Sequence, residues 1–224
     1  MKKFELTDEF VTNVFGHKLF RIKALVAFGD VEKGELGGFI EKEDNLSHDD
    51  NAWVFGDARV FGDARVSGDA RVSGNARVSG DARVFGDARV CGNAQVFDNA
   101  RVFDNARVFG DAQVFGDARV FGDARVSGNA RVSGNAQVFG NADYAVVAGF
   151  GRYFRTTTFF RCKDKILRVQ CGCFYGDLAQ FREIVKKTHG DSKYAKEYLA
   201  IADLMELHFS DKCGGEQMND GKIY

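Results

Sequence analysis

The sequence predicts a mainly β chain built around a parallel β-solenoid, and three observations predict it. From residue 52 the chain repeats every six residues, with valine at Val54 and at every sixth position to Val138. Alanine sits two residues before each of these valines, from Ala52 to Ala136, with a further one at Ala142. The 224 residues contain no proline, where average usage gives roughly 11.

Alanine and valine two apart point to one side of a strand, and the Arg or Gln between them points to the other. The Gly-Asp or Gly-Asn dipeptide that follows is a corner, as at Gly56, Gly62, Gly86 and Gly110 and at Asn75 and Asn93, because these residues tolerate positive φ. Asp98 and Asp104 take the place of the glycine twice. A helix is excluded, since valines six apart would fall about 240° apart around its axis. Three hexads close one triangular coil. Residues 54–143 therefore make five 18-residue coils, stacked at about 4.8 Å with each N–H bonded to a neighbouring coil. Proline would remove a donor from that ladder.

The position after each valine also faces out, near a corner. In the 18-residue fold, Phe85, Phe103, Phe121 and Phe139 fall in consecutive coils of one column, and Phe97 and Phe115 in a second. A continuous exposed aromatic stripe is uncommon on a soluble monomer. The rings can cover the corners and one another, join copies of the chain, or meet a foreign partner. These six phenylalanines are the candidate binding or oligomer surface. The other outward rows carry arginine, from Arg59 to Arg131. Eleven arginines and eleven acids cancel over residues 54–143, which describes a self-neutralising face. Nucleic acid would want an uncompensated basic stripe, and the net charge of −1 points the same way.

The flanks change character. Residues 1–51 are read as an N-terminal β cap, with a strand over Leu19–Val26 and a turn and strand over Gly34–Glu41. Residues 52–143 are the solenoid. Residues 144–224 are read as a small α+β domain. In it, an aromatic strand over Tyr153–Arg161 pairs with Lys165–Cys171 across Lys163-Asp164. Asp177 caps a helix with Leu178, Phe181, Ile184 and Val185 on one face, ended by His189-Gly190. A second helix starts at Asp191 or Ser192 and buries Tyr194, Tyr198, Leu199, Ile201, Ala202 and Met205, and its tail is polar. Ala148-Gly149-Phe150-Gly151 reads as a bend.

Nucleotide-binding and hydrolase motifs are absent. The five cysteines (Cys91, Cys162, Cys171, Cys173, Cys213) lack paired metal-ligand spacing and suit a reducing compartment. No metal and no cofactor is expected. The acidic N-terminus lacks a secretory signal core, and no apolar run is long enough to span a membrane, so no membrane is expected and a cytoplasmic location is.

An aliphatic residue at i with a small residue at i+4, as in Val54 with Ala58 and Val60 with Ala64, resembles the hexapeptide-repeat family. The resemblance implies a left-handed parallel β-helix and self-assembly, most simply as a homotrimer. Gly37-Gly38-Phe39-Ile40 followed by Asn45-Leu46-Ser47 resembles the lead-in of phage and prophage hexapeptide-repeat proteins, some described as acyltransferases. Cys171-Gly172-Cys173-Phe174-Tyr175-Gly176 with two helices resembles a module attached to such proteins. Acyl-CoA transferases of the family use a histidine base and a protruding loop. Here the repeat holds no histidine and no insertion, and His48, just before the first coil, is the sole candidate base. The expectation is a non-catalytic, oligomeric scaffold of phage type that binds an unknown protein partner sterically in the host cytoplasm, for example as an inhibitor of host defence. Acyl-CoA-dependent acyl transfer and nucleic-acid binding through the arginine rows are the alternatives.

Overall fold

A computed structural model describes residues 2–210. Three N-terminal strands come first: β1 (Phe4–Thr12), β2 (Lys18–Ala24) and β3 (Leu36–Ile40). Fifteen two-residue strands follow, one per hexad, from β4 (Trp53–Val54) to β18 (Gln137–Val138). The C-terminal unit adds β19 (Tyr144–Val147), β20 (Thr157–Arg161), β21 (Leu167–Cys171), β22 (Phe174–Asp177), α1 (Leu178–His189) and α2 (Lys193–Ser210).

The hexad strands stack in parallel, each pairing with the strand 18 residues on, as in Val60 with Val78 and Val90 with Val108. Three flat faces result. Every repeat alanine and valine is buried, so the core is one continuous column of small side chains.

The solenoid has six turns rather than the five counted from the hexads. β3 joins the ladder, with Ile40 opposite Val60, and Leu46 pairs with Val66. Both spacings are 20 residues instead of 18, which hides this turn from the repeat. The side chain of Asn45 absorbs the difference. Its amide donates to the carbonyls of Gly62 and Ala64 at 3.0 and 2.9 Å, standing in for a backbone donor. Residues 37–51, assigned to the cap from sequence, are thus partly solenoid, and the cap proper is the β1–β2–β3 meander that extends one face.

The corners are left-handed at glycine, as at Gly86 (φ +68). A Cβ there would meet the backbone nitrogen of Asp104 one turn on at 2.9 Å. Asp98 and Asp104 nonetheless hold the same conformation, at φ 57 and 56. The asparagines are not left-handed, contrary to the reading of the dipeptide. They build ladders instead: Asn75 Nδ2 donates to Asn93 Oδ1 at 3.4 Å, and Asn93 Nδ2 to Asp111 Oδ1 at 2.9 Å.

Both solenoid ends are sealed, which matters because an open ladder edge templates association. The N–H groups on either side of each valine donate to the next turn, as Phe55 N does to Val72 O. The first turn therefore has carbonyls that lack these donors, and the last turn has amides that lack these acceptors. At the start, buried Lys3 points its Nζ at the carbonyls of Ala52, Asp50 and Asp49, at 2.9, 3.2 and 3.4 Å. At the far end, side-chain oxygens accept. Asn141 takes the Arg125 N–H at 2.9 Å, Thr158 that of Arg131 at 3.0 Å, and Asp143 that of Phe139 at 3.0 Å. Phe160 on β20 is fully buried in the solenoid core and plugs its end.

β19 to β22 form an antiparallel sheet on which α1 and α2 pack around Phe159, Val169, Phe181 and Met205. Asp177 caps α1 in a capping box with Gln180. Ile184 and Tyr194, read as core from helical spacing, are exposed at the helix surfaces. The aromatic strand begins at Thr157 rather than Tyr153, because Gly149 (φ +86), Gly151 (φ +74) and Phe154 (φ +51) hold the preceding residues in an irregular loop. The polar tail and Cys213 lie outside the described residues. Among the described residues no helix is long and apolar enough to cross a membrane.

Candidate functional site

The phenylalanine columns form by repetition. The residue after each valine leaves the strand at a corner, and the ladder sets the next ring one turn above. Phe85 and Phe103 stack with centroids 4.9 Å apart and planes 1° apart, and Phe103 and Phe121 at 5.0 Å and 7°. Phe139 closes the column edge-on to Phe121, at 5.4 Å and 63°, and is 62% exposed. Phe97 and Phe115 stack at 4.9 Å on another corner. Phe85, Phe97, Phe103, Phe115 and Phe121 are half-buried, largely by one another. Each column presents ring edges, a narrower apolar surface than isolated rings would give.

Arginines flank the long column on both faces. Arg83, Arg101 and Arg119 stand one above another on one face, and Arg89, Arg107 and Arg125 on the next. All six are exposed. Among the described residues the ion pair made by a repeat arginine is Arg71 with Asp30 of the N-terminal cap. The rows are balanced in charge by neighbouring acids but not locked to them.

His48 is held as a strut. Its ring stacks on Phe4 with centroids 4.3 Å apart, and its Nδ1 accepts the Lys3 backbone N–H at 3.2 Å. Its Nε2 faces Glu43 at 3.6 Å, and Lys2, salt-bridged to the same carboxylate at 2.6 Å, holds that acid below its usual carboxylate range. A groove of 560 Å³ lies beside it, lined by Ser47, Arg65 and Ser67 among others.

Sequence reasoning missed a concave site in the C-terminal unit. The 149–155 loop, the β21–β22 hairpin and both helices line a half-open cavity of 220 Å³. Its apolar wall is Phe174, Phe181, Val185, Ile184 and the ring of Tyr198. Its mouth carries Arg152 and Arg155, both over the ring of Tyr153, at 5.5 and 5.1 Å. Cys171, Cys173 and His189 complete the lining. Gly172 (φ +59) opens the two-residue hairpin turn, as a type II′ turn requires, and this brings both cysteines to one wall. Burial beside Cys171 pushes the Tyr198 hydroxyl up to about 12, so it stays protonated. Burial likewise raises the Cys162 thiol, outside this cavity. Among the described residues no three His, Cys, Asp or Glu side chains gather closely enough to hold a metal ion. The one advance signal was the run Arg152-Tyr153-Phe154-Arg155, too basic for the strand assigned to it.

Residues 58–140 match the family model described as YdcK Beta solenoid repeat, in overlapping stretches that begin with 58–74 and end with 124–140. A search of curated proteins finds none that matches the chain. The matched stretches coincide with the stacked hexads and the three-faced parallel ladder, so residues 58–140 form a repeat-built β-solenoid similar to the YdcK repeat.

Proposed function

We propose that the chain is a non-catalytic scaffold of phage type, acting in the cytoplasm, in which the solenoid is a rigid spacer that self-associates side by side and presents its C-terminal unit to a protein partner. The observation that carries this reading is the contrast between sealed ends and an open flank. Lys3 and Phe160 close the two ends to stacking, while the Phe85–Phe139 column and its flanking arginines line an uncovered corner. A rod of six turns spans about 24 Å between its first and last strands, from the usual strand spacing. Rigidity makes that spacing usable, since linked sites gain from a fixed separation. Three rods meeting along one corner would give the homotrimer that the repeat resemblance implies.

The test is absolute mass by light scattering on the wild type and on the Phe103→Ser, Phe121→Ser double variant. A trimeric wild type and a monomeric variant support the reading. A monomeric wild type overturns self-association. Acyl transfer is tested in parallel by acetyl-CoA titration of wild type and His48→Ala, where saturable binding lost in the variant would replace the scaffold reading. A low-salt shift of labelled DNA that weakens steeply with salt would replace it with nucleic-acid binding.

A further inference from the structure

We propose that the cavity between the 149–155 loop, the β21–β22 hairpin and the two helices binds a single-ring aromatic acid, its ring against Phe174, Phe181 and Tyr198 and its carboxylate on Arg152 and Arg155. Nothing in this inference depends on the scaffold reading.

Size comes first. A dry cavity of about 150 Å³ holds a benzene ring, so 220 Å³ has room for one ring and a small polar group. The walls suit a ring. Phe181 meets Tyr198 edge-on at 5.8 Å and tilts against Phe174 at 5.6 Å, which leaves ring faces and edges for a third aromatic group at ordinary packing distances.

Charge selects the polar group. Arg152 and Arg155 make no ion pair among the described residues, and no Asp or Glu lines the cavity. The nearby Glu197 is already engaged. Its Oε2 accepts the Gly151 N–H at 2.9 Å, and its Oε1 pairs with Lys193 at 3.4 Å. Stacking on Tyr153 holds both guanidiniums at the mouth, and Arg155 also lies against Gly172, where a Cβ would meet its Nη1 at 2.7 Å. Two planar forks with free donors favour a carboxylate over a neutral oxygen. The imidazole of His189, stacked on Tyr198 at 5.8 Å, also lines the cavity.

The loop is built for access. Gly151 has no room for a side chain because a Cβ would overlap the Tyr198 hydroxyl. The loop thus sits directly on that ring, and its exposed Phe150 and Phe154 lie outside the core. A free aromatic acid and the C-terminal aromatic residue of a peptide share this chemistry.

The experiment titrates the full chain by calorimetry with 4-hydroxyphenylacetate, with N-acetylglycyltyrosine, and with the neutral amide of each. At least one acid is expected to bind saturably, its amide at least about tenfold more weakly, and Arg155→Gln is expected to lose the same factor. Preference between the two acids identifies a free acid or a peptide C-terminus as the source. Alkylation of Cys173, an exposed thiol on the cavity wall, is expected to slow in wild type saturated with the acid and not in Arg155→Gln. Equal binding of acid and amide, or no saturation by either acid at millimolar concentration, overturns the proposal without reference to any variant's folding.

Discussion

His48 Nδ1 accepts the backbone N–H of Lys3 at 3.2 Å while its ring covers Phe4, which ties β1 to the first turn. A histidine free to act as a base would instead offer an unoccupied nitrogen to a bound substrate. His48→Ala leaves that N–H unpaired and removes the ring stack, and is expected to cost about 1–3 kcal/mol of stability. Urea unfolding checks this. An unchanged midpoint would mean the clip contributes nothing and would return His48 to candidacy as a catalytic group.

Asp104 tests how the corners tolerate a side chain. Its left-handed backbone costs about 1–2 kcal/mol for an ordinary L-residue, and its carboxylate accepts the Gly122 N–H of the next turn at 3.3 Å. Asp104→Ala keeps the Cβ and loses the bond, so it should destabilise by about 1–2 kcal/mol. Asp104→Gly relieves the backbone as it loses the bond, so it should fall within about 0.5 kcal/mol of wild type. Thermal melts of the two variants decide it, and equal losses would refute the offset.

The solenoid was legible in the sequence because each face admits so few side chains. Alanine and valine fill the column in every hexad, and glycine or aspartate holds each left-handed corner between them. What stayed hidden depends on partners distant in the chain. The first turn is masked by its 20-residue spacing, which Asn45 reconciles with its own side-chain amide. β1 has no clean alternation, since its outer half is largely solvated. The C-terminal cavity joins Arg155 to Gly172 and Tyr198, residues that no local period connects. Ile184 fits the buried stripe of α1 by spacing but lies at the rim of two concavities.

The phenylalanine column should show energetic coupling along the rod. Phe85 and Phe103 stack at 4.9 Å with nearly parallel planes, so a double-mutant cycle to alanine should give a coupling of about 0.5–1.5 kcal/mol. Phe97 lies on another corner, and the Phe97–Phe103 cycle should give a value near zero. Equal couplings for both pairs would mean the rings act through general loosening of the turns rather than by contact.

Lys3 sets a pH dependence. Burial lowers its ammonium from 10.5 to about 8, against the opposing pull of Asp50, Asp49 and Asp69. The unfolded chain therefore holds this proton between about pH 8 and 10.5 where the folded chain has released it, so this group's contribution to stability rises with pH across that window. Tyr198 and Cys162, both raised by burial, work in the opposite direction at alkaline pH. The readout is therefore the difference between wild type and Lys3→Met. Denaturant midpoints at pH 7.5 and 9.5 should show wild type gaining relative to the variant, and parallel shifts would refute it.

Phe160 closes the last turn, and its removal should convert a sealed end into an associating one. The ring is fully buried in the solenoid column although it belongs to β20 of the C-terminal sheet. Phe160→Ala should cost about 3–5 kcal/mol through the cavity it leaves. The loss should fall on docking before it falls on the rod, since turns further along keep their own ladder bonds. The Arg131 N–H would lose Thr158, its acceptor on the same strand, and an unpaired ladder edge recruits another. Light scattering on Phe160→Ala should therefore show concentration-dependent growth, suppressed by adding Arg131→Pro, which removes the exposed donor. Growth unaffected by Arg131→Pro would place the association elsewhere and leave Phe160 as packing alone.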